Sequence, residues 1–229
     1  MTQLVDSGVI GKKDSKYLLK SSWLINLDEY AFMTKERYSG RSPTLNQQTQ
    51  YLTFQNMFEV DKFLISFAKK AKTKQSEILC LQWNHFWIPL FFPREEYANM
   101  KKILGMCQTY ATTGSNTIID QWCAAFWKEK GFHKKTGVKP ISPGDVVVLR
   151  DTVIQVFYPS RLIAVIDKTY QKTKSISKLD ANTLFDNVFI QKANIPCAIM
   201  RNPILAQQLR NEIIMATKHN NKFKRDHKA

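Results

Sequence analysis

The chain has 229 residues, 44% of them apolar and 12% aromatic, so it can bury a sizeable core in one or two domains and is too apolar to be disordered. Its 34 lysines and arginines outnumber 19 acidic residues, which gives a formal net charge of +15. A charge of this size is typical of a protein that binds a polyanion. Nucleic acid is favoured over an anionic membrane or an acidic protein.

The cysteines and the apolar runs indicate a cellular compartment. The four cysteines form no CxxC pair and have no histidine at ligand spacing, so a zinc site is not expected and a reducing compartment is favoured. Residues 1–16 lack the apolar stretch of a signal peptide. The strongest apolar run, 86–92, is far shorter than the roughly 20 residues of a membrane-spanning helix. The prediction is a cytoplasmic protein with no membrane partner.

The first part of the chain is predicted to be a flexible arm, 1–18, followed by a helical N-terminal extension, 19–133. Alternating apolar residues at Leu18–Leu27 predict a strand, and Glu29–Tyr38 has helical character. The longest predicted helix is Gln47–Ala71, whose apolar residues fall on one stripe.

The middle of the chain is less uniform. Residues 75–90 fit either a buried strand or an apolar helix, and periodicity does not distinguish the two. Helices are predicted at 94–106 and 116–130. The segment 131–144 contains three glycines, two prolines and three lysines without an apolar period, which predicts a boundary between domains.

The next segment gives the most regular pattern of the chain. Residues 145–158 are rich in β-branched side chains, which predicts strands. Pro159 ends the strand and suits the start of a helix over 160–172. A polar turn at 173–177 leads into a second predicted helix, 179–193.

That order, on the residues VIQVFYPSRLIAVIDKTYQKTKSISKLDANTLFDNVF, resembles the ribbon-helix-helix repressors of the Arc type. The resemblance implies an obligate homodimer whose two strands pair into a ribbon that lies in the major groove of double-stranded DNA. The expected fold class is mainly α with a short β ribbon. Its ribbon-helix-helix core is placed at 145–195, with additional N-terminal helices and a C-terminal helix and basic tail at 196–229.

A second resemblance covers more of the chain. SSWLINLDEYAFMTKERYSGR and FYPSRLIAVIDKTYQKTKSISKLDANTLF are similar to segments of AcaB-like proteins of conjugative plasmids and integrative conjugative elements, over roughly 21–193. This implies a transcriptional regulator that activates conjugative transfer genes. The extra helices could serve the dimer, a larger assembly or RNA polymerase.

Carried over residue by residue, the resemblance assigns Val153, Gln155 and Phe157 to the side of the strand that faces the groove. Gln155 suits an adenine edge, whereas the two apolar residues could touch thymine methyls or pack against the added elements. The start of the second helix would present backbone N–H groups to a phosphate. The predicted DNA-binding residues are Arg150, Val153, Gln155, Phe157, Arg161, Lys174, Ser175, Ser177 and Lys178.

Two other classes of function compete with this one. A non-enzymatic accessory or structural protein of the conjugation machinery, binding DNA or other proteins, is the main alternative. Catalysis is not expected, because the acids Asp145, Asp151, Asp167 and Asp180 lack the paired spacing of a metal nuclease. A Gly-rich phosphate loop and a Ser/Cys–His motif are also missing from the sequence, so no cofactor is predicted.

Overall fold

The computed structural model divides into two compact units, Met1–Gln47 and Gln48–Ala229. It describes residues 10–13, 16–19, 49–70, 77–88, 90, 97–98, 100–102 and 105–218. In the first unit, β1 (Ile10–Lys13) and β2 (Lys16–Leu19) pair antiparallel, within and just after the segment predicted as an arm. Most of the predicted strand 18–27, the helix 29–38 and the tail beyond 218 lie outside the described residues.

The second unit is built on a seven-stranded mixed sheet. Its strands are β3 (Thr49–Phe54), β4 (Glu77–Trp83), β5 (Cys107–Thr113), β6 (His133–Lys135), β7 (Asp145–Leu149), β8 (Thr152–Val156) and β9 (Ile195–Arg201). They are arranged in the order β3-β9-β8-β7-β4-β5-β6. Strands β4, β5 and β6 run parallel to one another, and all other neighbouring strands of the sheet are antiparallel.

Helices cover both faces of this sheet. They are α1 (Met57–Lys70), α2 (Ile118–Lys128), α3 (Ser160–Lys172), α4 (Ala181–Leu184) and α5 (Pro203–Lys218), with a 3-10 turn at Ile176–Lys178 and a π-helix at Phe185–Phe189. Helices α1 to α4 pack on the face that holds the larger core. Helix α5 packs alone among the described helices on the other face, over a smaller core.

The expected fold class, mainly α with a short β ribbon, is wrong. Strand β8, the expected ribbon, is hydrogen-bonded to β7 on one side and to β9 on the other, in the interior of a seven-stranded sheet. An inner strand has no free edge to offer a second chain. In this structure the predicted homodimer through paired strands therefore has no strand edge available at β8.

Other elements follow the sequence more closely. Helix α3 begins and ends at the predicted residues, and α5 lies within the segment 196–229 that was predicted to contain a C-terminal helix. The predicted helix 47–71 is instead β3 followed by α1, because TQYLTF pairs along its length with β9. The ambiguous segment 75–90 contains β4. Residues 145–195 do not stand apart, since they supply β7, β8 and α3 to the shared sheet and core.

None of the helices in the described part of the chain combines the length and apolarity that a membrane crossing requires.

Candidate nucleic-acid interface

The outward side of α3 is basic. Because an α-helix turns once every 3.6 residues, Arg161, Ala164, Lys168 and Lys172 share one side of it. All four residues are exposed. The helix therefore presents three cations and one small residue to solvent.

The inward side of α3 fixes this orientation. Leu162, Ile166 and Tyr170 are each at most 4% exposed and belong to the larger core. The Tyr170 hydroxyl also donates a hydrogen bond to the Phe86 carbonyl, at 3.1 Å. A polar anchor within an apolar contact leaves the helix little freedom to rotate about its axis.

The turn after α3 adds two exposed lysines, Lys174 and Lys178. Lys174 donates to the Gln171 carbonyl at 3.2 Å, and the hydroxyls of Ser175 and Ser177 lie 2.9 Å apart. The turn thus brings four of the predicted DNA-binding residues next to the basic side of α3. We call Arg161, Lys168, Lys172, Lys174 and Lys178 the basic surface.

The second helix of the predicted motif begins later than expected. Helix α4 starts at Ala181, and the Asp180 side chain accepts a hydrogen bond from the Thr183 backbone N–H at 3.0 Å. The hydrogen bonds from Thr183 lower the pKa of Asp180, so a carboxylate already occupies this helix end. The phosphate contacts predicted for the start of this helix stay a prediction, and they would have to form on the turn that precedes it.

A shallow, open groove runs along α3 on the same side. Its lining consists of Ala164, Asp167, Lys168, Gln171, Lys172 and Lys174. Three of these six side chains are cationic, and Asp167 is the acidic one. The position of that carboxylate is set by a histidine beneath it.

His85 lies two residues after the end of β4 and is only 4% exposed. Its Nε2 lies 2.7 Å from Asp167 Oδ1, and its Nδ1 lies 3.2 Å from both carboxylate oxygens of Asp120. The imidazole therefore bridges α2 and α3 at the end of a central strand.

Asp120 is held in place by several donors in addition to His85. It occupies the third position of α2 in a capping box with Thr117, whose backbone N–H and hydroxyl donate to Oδ2 at 3.0 and 2.7 Å. The Phe86 backbone N–H donates to Oδ1 at 2.9 Å. With its carboxylate fully buried and saturated, Asp120 is a fixed anion.

Burial and charge oppose each other in this cluster. Burial alone would lower the pKa of His85, but the hydrogen bonds and charges of Asp120 and Asp167 raise it above its ordinary value. Burial would likewise raise the pKa of Asp120, and the hydrogen bonds and charge of His85, helped by Ser115 and Thr117, bring it below its ordinary value. The cluster therefore stabilises an imidazolium between two carboxylates.

A third carboxylate, Asp145, lies at the start of β7 on the side of His85. It accepts a hydrogen bond from the Asn84 backbone N–H at 2.9 Å, and burial raises its pKa to about 7. Burial and the nearby Asp145 in turn raise the pKa of Tyr158 well above the usual value. Both ring nitrogens of His85 are engaged, so in this arrangement it is not free to act as a general base.

Sequence reasoning missed His85 and Asp120. The signal that was present is the spacing of Thr117 and Asp120, which fits a capping box with Asp in place of Glu. The sequence around His85 contains no comparable signal, because the two partners of His85 lie 35 and 82 residues further along the chain.

Arg150, another predicted DNA contact, is used within the chain. It occupies the two-residue turn between β7 and β8 and has a positive φ of 54°, in the left-handed region. Its guanidinium pairs with the Glu77 carboxylate, with Nε at 2.7 Å from Oε1. Its carbonyl accepts a hydrogen bond from Arg210 of α5.

Two of the three predicted base-reading residues lie on the sheet face opposite α3. Val153 is fully buried in the core under α5, on the sheet face opposite α3. Gln155 points to the same face by strand alternation and donates to the Ser142 hydroxyl at 2.9 Å. Phe157 follows β8 and is 37% exposed. The structure therefore does not bring Val153 and Gln155 together with Arg161 and the lysines.

Comparison with known proteins gives little further information. No protein-family model matches the chain, and no curated protein matches it. Among solved structures, the archaeal chromatin protein TrmBL2, described as showing a novel mode of DNA binding, matches at a TM-score of 0.40 and 7% sequence identity. The match covers 93% of this chain and 77% of that one. A TM-score of this size does not establish a shared fold, so no function is carried over from it.

Proposed function

We propose that the protein is a non-enzymatic DNA-binding regulator that contacts the phosphates of double-stranded DNA through its basic surface. The observation that carries the proposal is the clustering of five exposed cations on one helix side and the turn that follows. Among the described residues, none of the five forms an ion pair. Cations exposed in this way are available to replace the counterions of a polyanion.

The dimensions of the basic surface fit a duplex. At a rise of about 1.5 Å per residue, the helix from Arg161 to Lys172 spans roughly 16 Å. Double-stranded DNA carries one charge for about every 1.7 Å of its axis, so this length faces several phosphates. Groups of this kind position a protein on DNA without reading its sequence.

The resemblance to AcaB-like regulators adds the biological role to the proposal. It covers the whole basic surface and points to activation of conjugative transfer genes. The ribbon is not retained, because β8 is an inner strand. Any base reading in a regulator of this kind therefore does not come from a ribbon formed by β8.

The position of Gln155, away from the basic surface, favours a second candidate, an accessory protein of the conjugation machinery that binds DNA without sequence preference. The two functions differ in a competition assay. Binding by a regulator to DNA from upstream of transfer genes survives a large excess of random duplex. Binding by an accessory protein is displaced in proportion to the competitor.

The phosphate contact itself is tested by removing charge. Replacing Lys168, Lys172 and Lys174 by alanine should lower the slope of log K against log salt by about 0.9 for each phosphate no longer neutralised, or about 2.7 in all. The measurement is a salt titration of duplex binding by fluorescence anisotropy.

A matched pair of single variants provides the control. Lys172 and Lys218 are each the basic residue in the last turn of a helix, on α3 and α5 respectively, so both substitutions remove the same interaction with a helix dipole. Only Lys172→Ala should lower the salt slope. An unchanged slope in the triple variant, or equal effects of the two single variants, would overturn the proposal.

A further inference from the structure

Asp167 connects the basic surface to the interior of the protein. Its side chain is 45% exposed and lines the groove between the lysines, while its Oδ1 lies 2.7 Å from Nε2 of the buried His85. Within the described part of the chain, His85 is the only hydrogen-bond partner of the Asp167 side chain. One buried group therefore controls the single carboxylate of the groove.

We propose that His85 is a positioning residue that sets the charge of the basic surface through Asp167, so that DNA binds tightly while the imidazole is protonated and more weakly once it loses its proton. The inference rests on the DNA-binding function proposed above and specifies how that site is regulated.

The geometry decides which hydrogen bond breaks on deprotonation. A neutral imidazole keeps one N–H, and its other nitrogen then turns a lone pair toward a carboxylate oxygen. Asp120 is fully buried, where water cannot replace a lost donor, whereas the Asp167 side chain is 45% exposed and can be hydrated instead. The remaining N–H therefore stays at Nδ1 with Asp120, and the hydrogen bond between Nε2 and Asp167 is the one that breaks.

Breaking this hydrogen bond has two consequences for the groove. The charge of Asp167 is no longer balanced by an imidazolium, which subtracts one positive charge from the surface that faces phosphate. The tie between the end of β4 and the middle of α3 is also broken, although Tyr170 still anchors the helix through Phe86. The loss of one positive charge beneath the basic surface should weaken DNA affinity by about three- to tenfold.

Every titratable group that faces His85 bears on the pH at which this occurs. In the part of the chain that the structure describes, these groups are Asp120 from α2, Asp167 from α3, Asp145 from β7 and the Tyr170 ring, whose centroid lies 4.5 Å from that of the imidazole. The two hydrogen-bonded carboxylates raise the pKa of His85, so its proton is lost on the alkaline side of the ordinary histidine range. Asp145, with a pKa of about 7, titrates nearby and needs its own control.

The stability of the fold should change with pH in the same direction as the DNA affinity. A histidine whose folded pKa exceeds its unfolded value contributes stability that is fully present below the unfolded value of about 6.5. That contribution is lost as the pH rises through the raised folded value. DNA binding and fold stability should therefore both decline toward alkaline pH.

The test measures duplex affinity at constant salt between about pH 6 and pH 9, which covers the ordinary pKa of a histidine and the alkaline side of it. Wild type should weaken about three- to tenfold across this range. His85→Gln should bind at every pH as weakly as wild type does at the alkaline end. Asp167→Asn, a change at a half-exposed site, should bind more tightly than wild type at the alkaline end and lack the decline. Asp145→Asn should keep the decline.

The double variant His85→Gln with Asp167→Asn separates charge from scaffolding. If His85 acts by balancing Asp167, removing both charges restores much of the affinity that His85→Gln alone loses. If His85 only supports the fold, the double variant binds no better than the single one, and the inference fails. It also fails if Asp167→Asn keeps the pH profile of wild type.

Failure of this inference is distinguishable from failure of the proposed function. If the lysine triple variant lowers the salt slope and the pH profiles do not differ, DNA binding stands and the role of His85 is refuted. If the triple variant leaves the slope unchanged, the proposed interface itself is refuted.

Discussion

Helices α3 and α5 pack on opposite faces of the same sheet, yet their exposed sides differ. On α5, polar side chains hydrogen-bond along the helix: Gln207 to Asn211 at 2.8 Å and Gln208 to Glu212 at 3.2 Å. Arg210 donates to Gln207 and to a carbonyl of the β7–β8 turn. The exposed polar groups of α5 thus find partners within the chain.

The exposed side of α3 has no such arrangement. Lys168 and Lys172 are four residues apart, a spacing at which like charges cost an isolated helix about 0.2–0.5 kcal/mol. The carboxylate next to Lys168, Asp167, is directed to the buried His85. Both helices cover the sheet, but α3 also carries exposed positive charge that no ion pair within the described residues balances.

The largest expected effect separates stability from binding. Ile213 of α5 and Ile166 of α3 are both buried, and truncating either to alanine should cost about 2–5 kcal/mol in the free energy of unfolding. Only Ile166→Ala should also weaken DNA binding by the folded protein, because it loosens the helix that carries the basic surface. Denaturant unfolding and anisotropy at low temperature measure the two quantities. Equal DNA affinities of the two variants would remove the functional difference between the helices.

A smaller effect is expected at the polar anchor of α3. Tyr170→Phe removes the hydrogen bond to the buried Phe86 carbonyl and should cost about 1–2 kcal/mol in the free energy of unfolding. The ring still fills its place in the core, so the salt slope for DNA should not change. A lower slope would mean that the hydroxyl orients the lysines and does more than stabilise the helix.

The smallest effect is expected on the outer side of α5. Gln208→Ala removes an exposed hydrogen bond to Glu212 and should change the free energy of unfolding by less than about 0.5 kcal/mol. DNA affinity should stay within experimental error of wild type. A clear decrease in affinity would show that α5 also contacts the nucleic acid, and the comparison between the two helices would have to be redrawn.

Local patterns predicted some elements well and placed part of the candidate interface. The bounds of α3 followed from Pro159 and the apolar spacing of Leu162, Ile166 and Tyr170, which repeat at the helical period. The basic turn at Lys174 and Lys178 was also placed correctly beside that helix. These features depend on neighbours within a few residues.

The errors arose where the environment comes from distant parts of the chain. Strand β8 was recognised as a strand, but β9, which pairs with it more than 40 residues later, was missed. Without knowledge that β9 and β7 flank it, the sequence of β8 also fits the exposed strand of a ribbon-helix-helix dimer. Val153 and Gln155 were assigned to a DNA-facing side because alternation shows that they share a face but does not show what covers it. Helix α5 covers Val153.

By itself, the sequence determined the excess of positive charge, the strand-forming character of β7 and β8, and the amphipathic helix α3, because these follow from composition and from local periodicity. Tertiary structure alone decided that β8 is an inner strand and that His85 lies between Asp120 and Asp167. Hydrogen bonding at a strand edge and the charge of a buried imidazole both depend on groups that chain folding brings together, and their separation along the sequence hides them from local patterns.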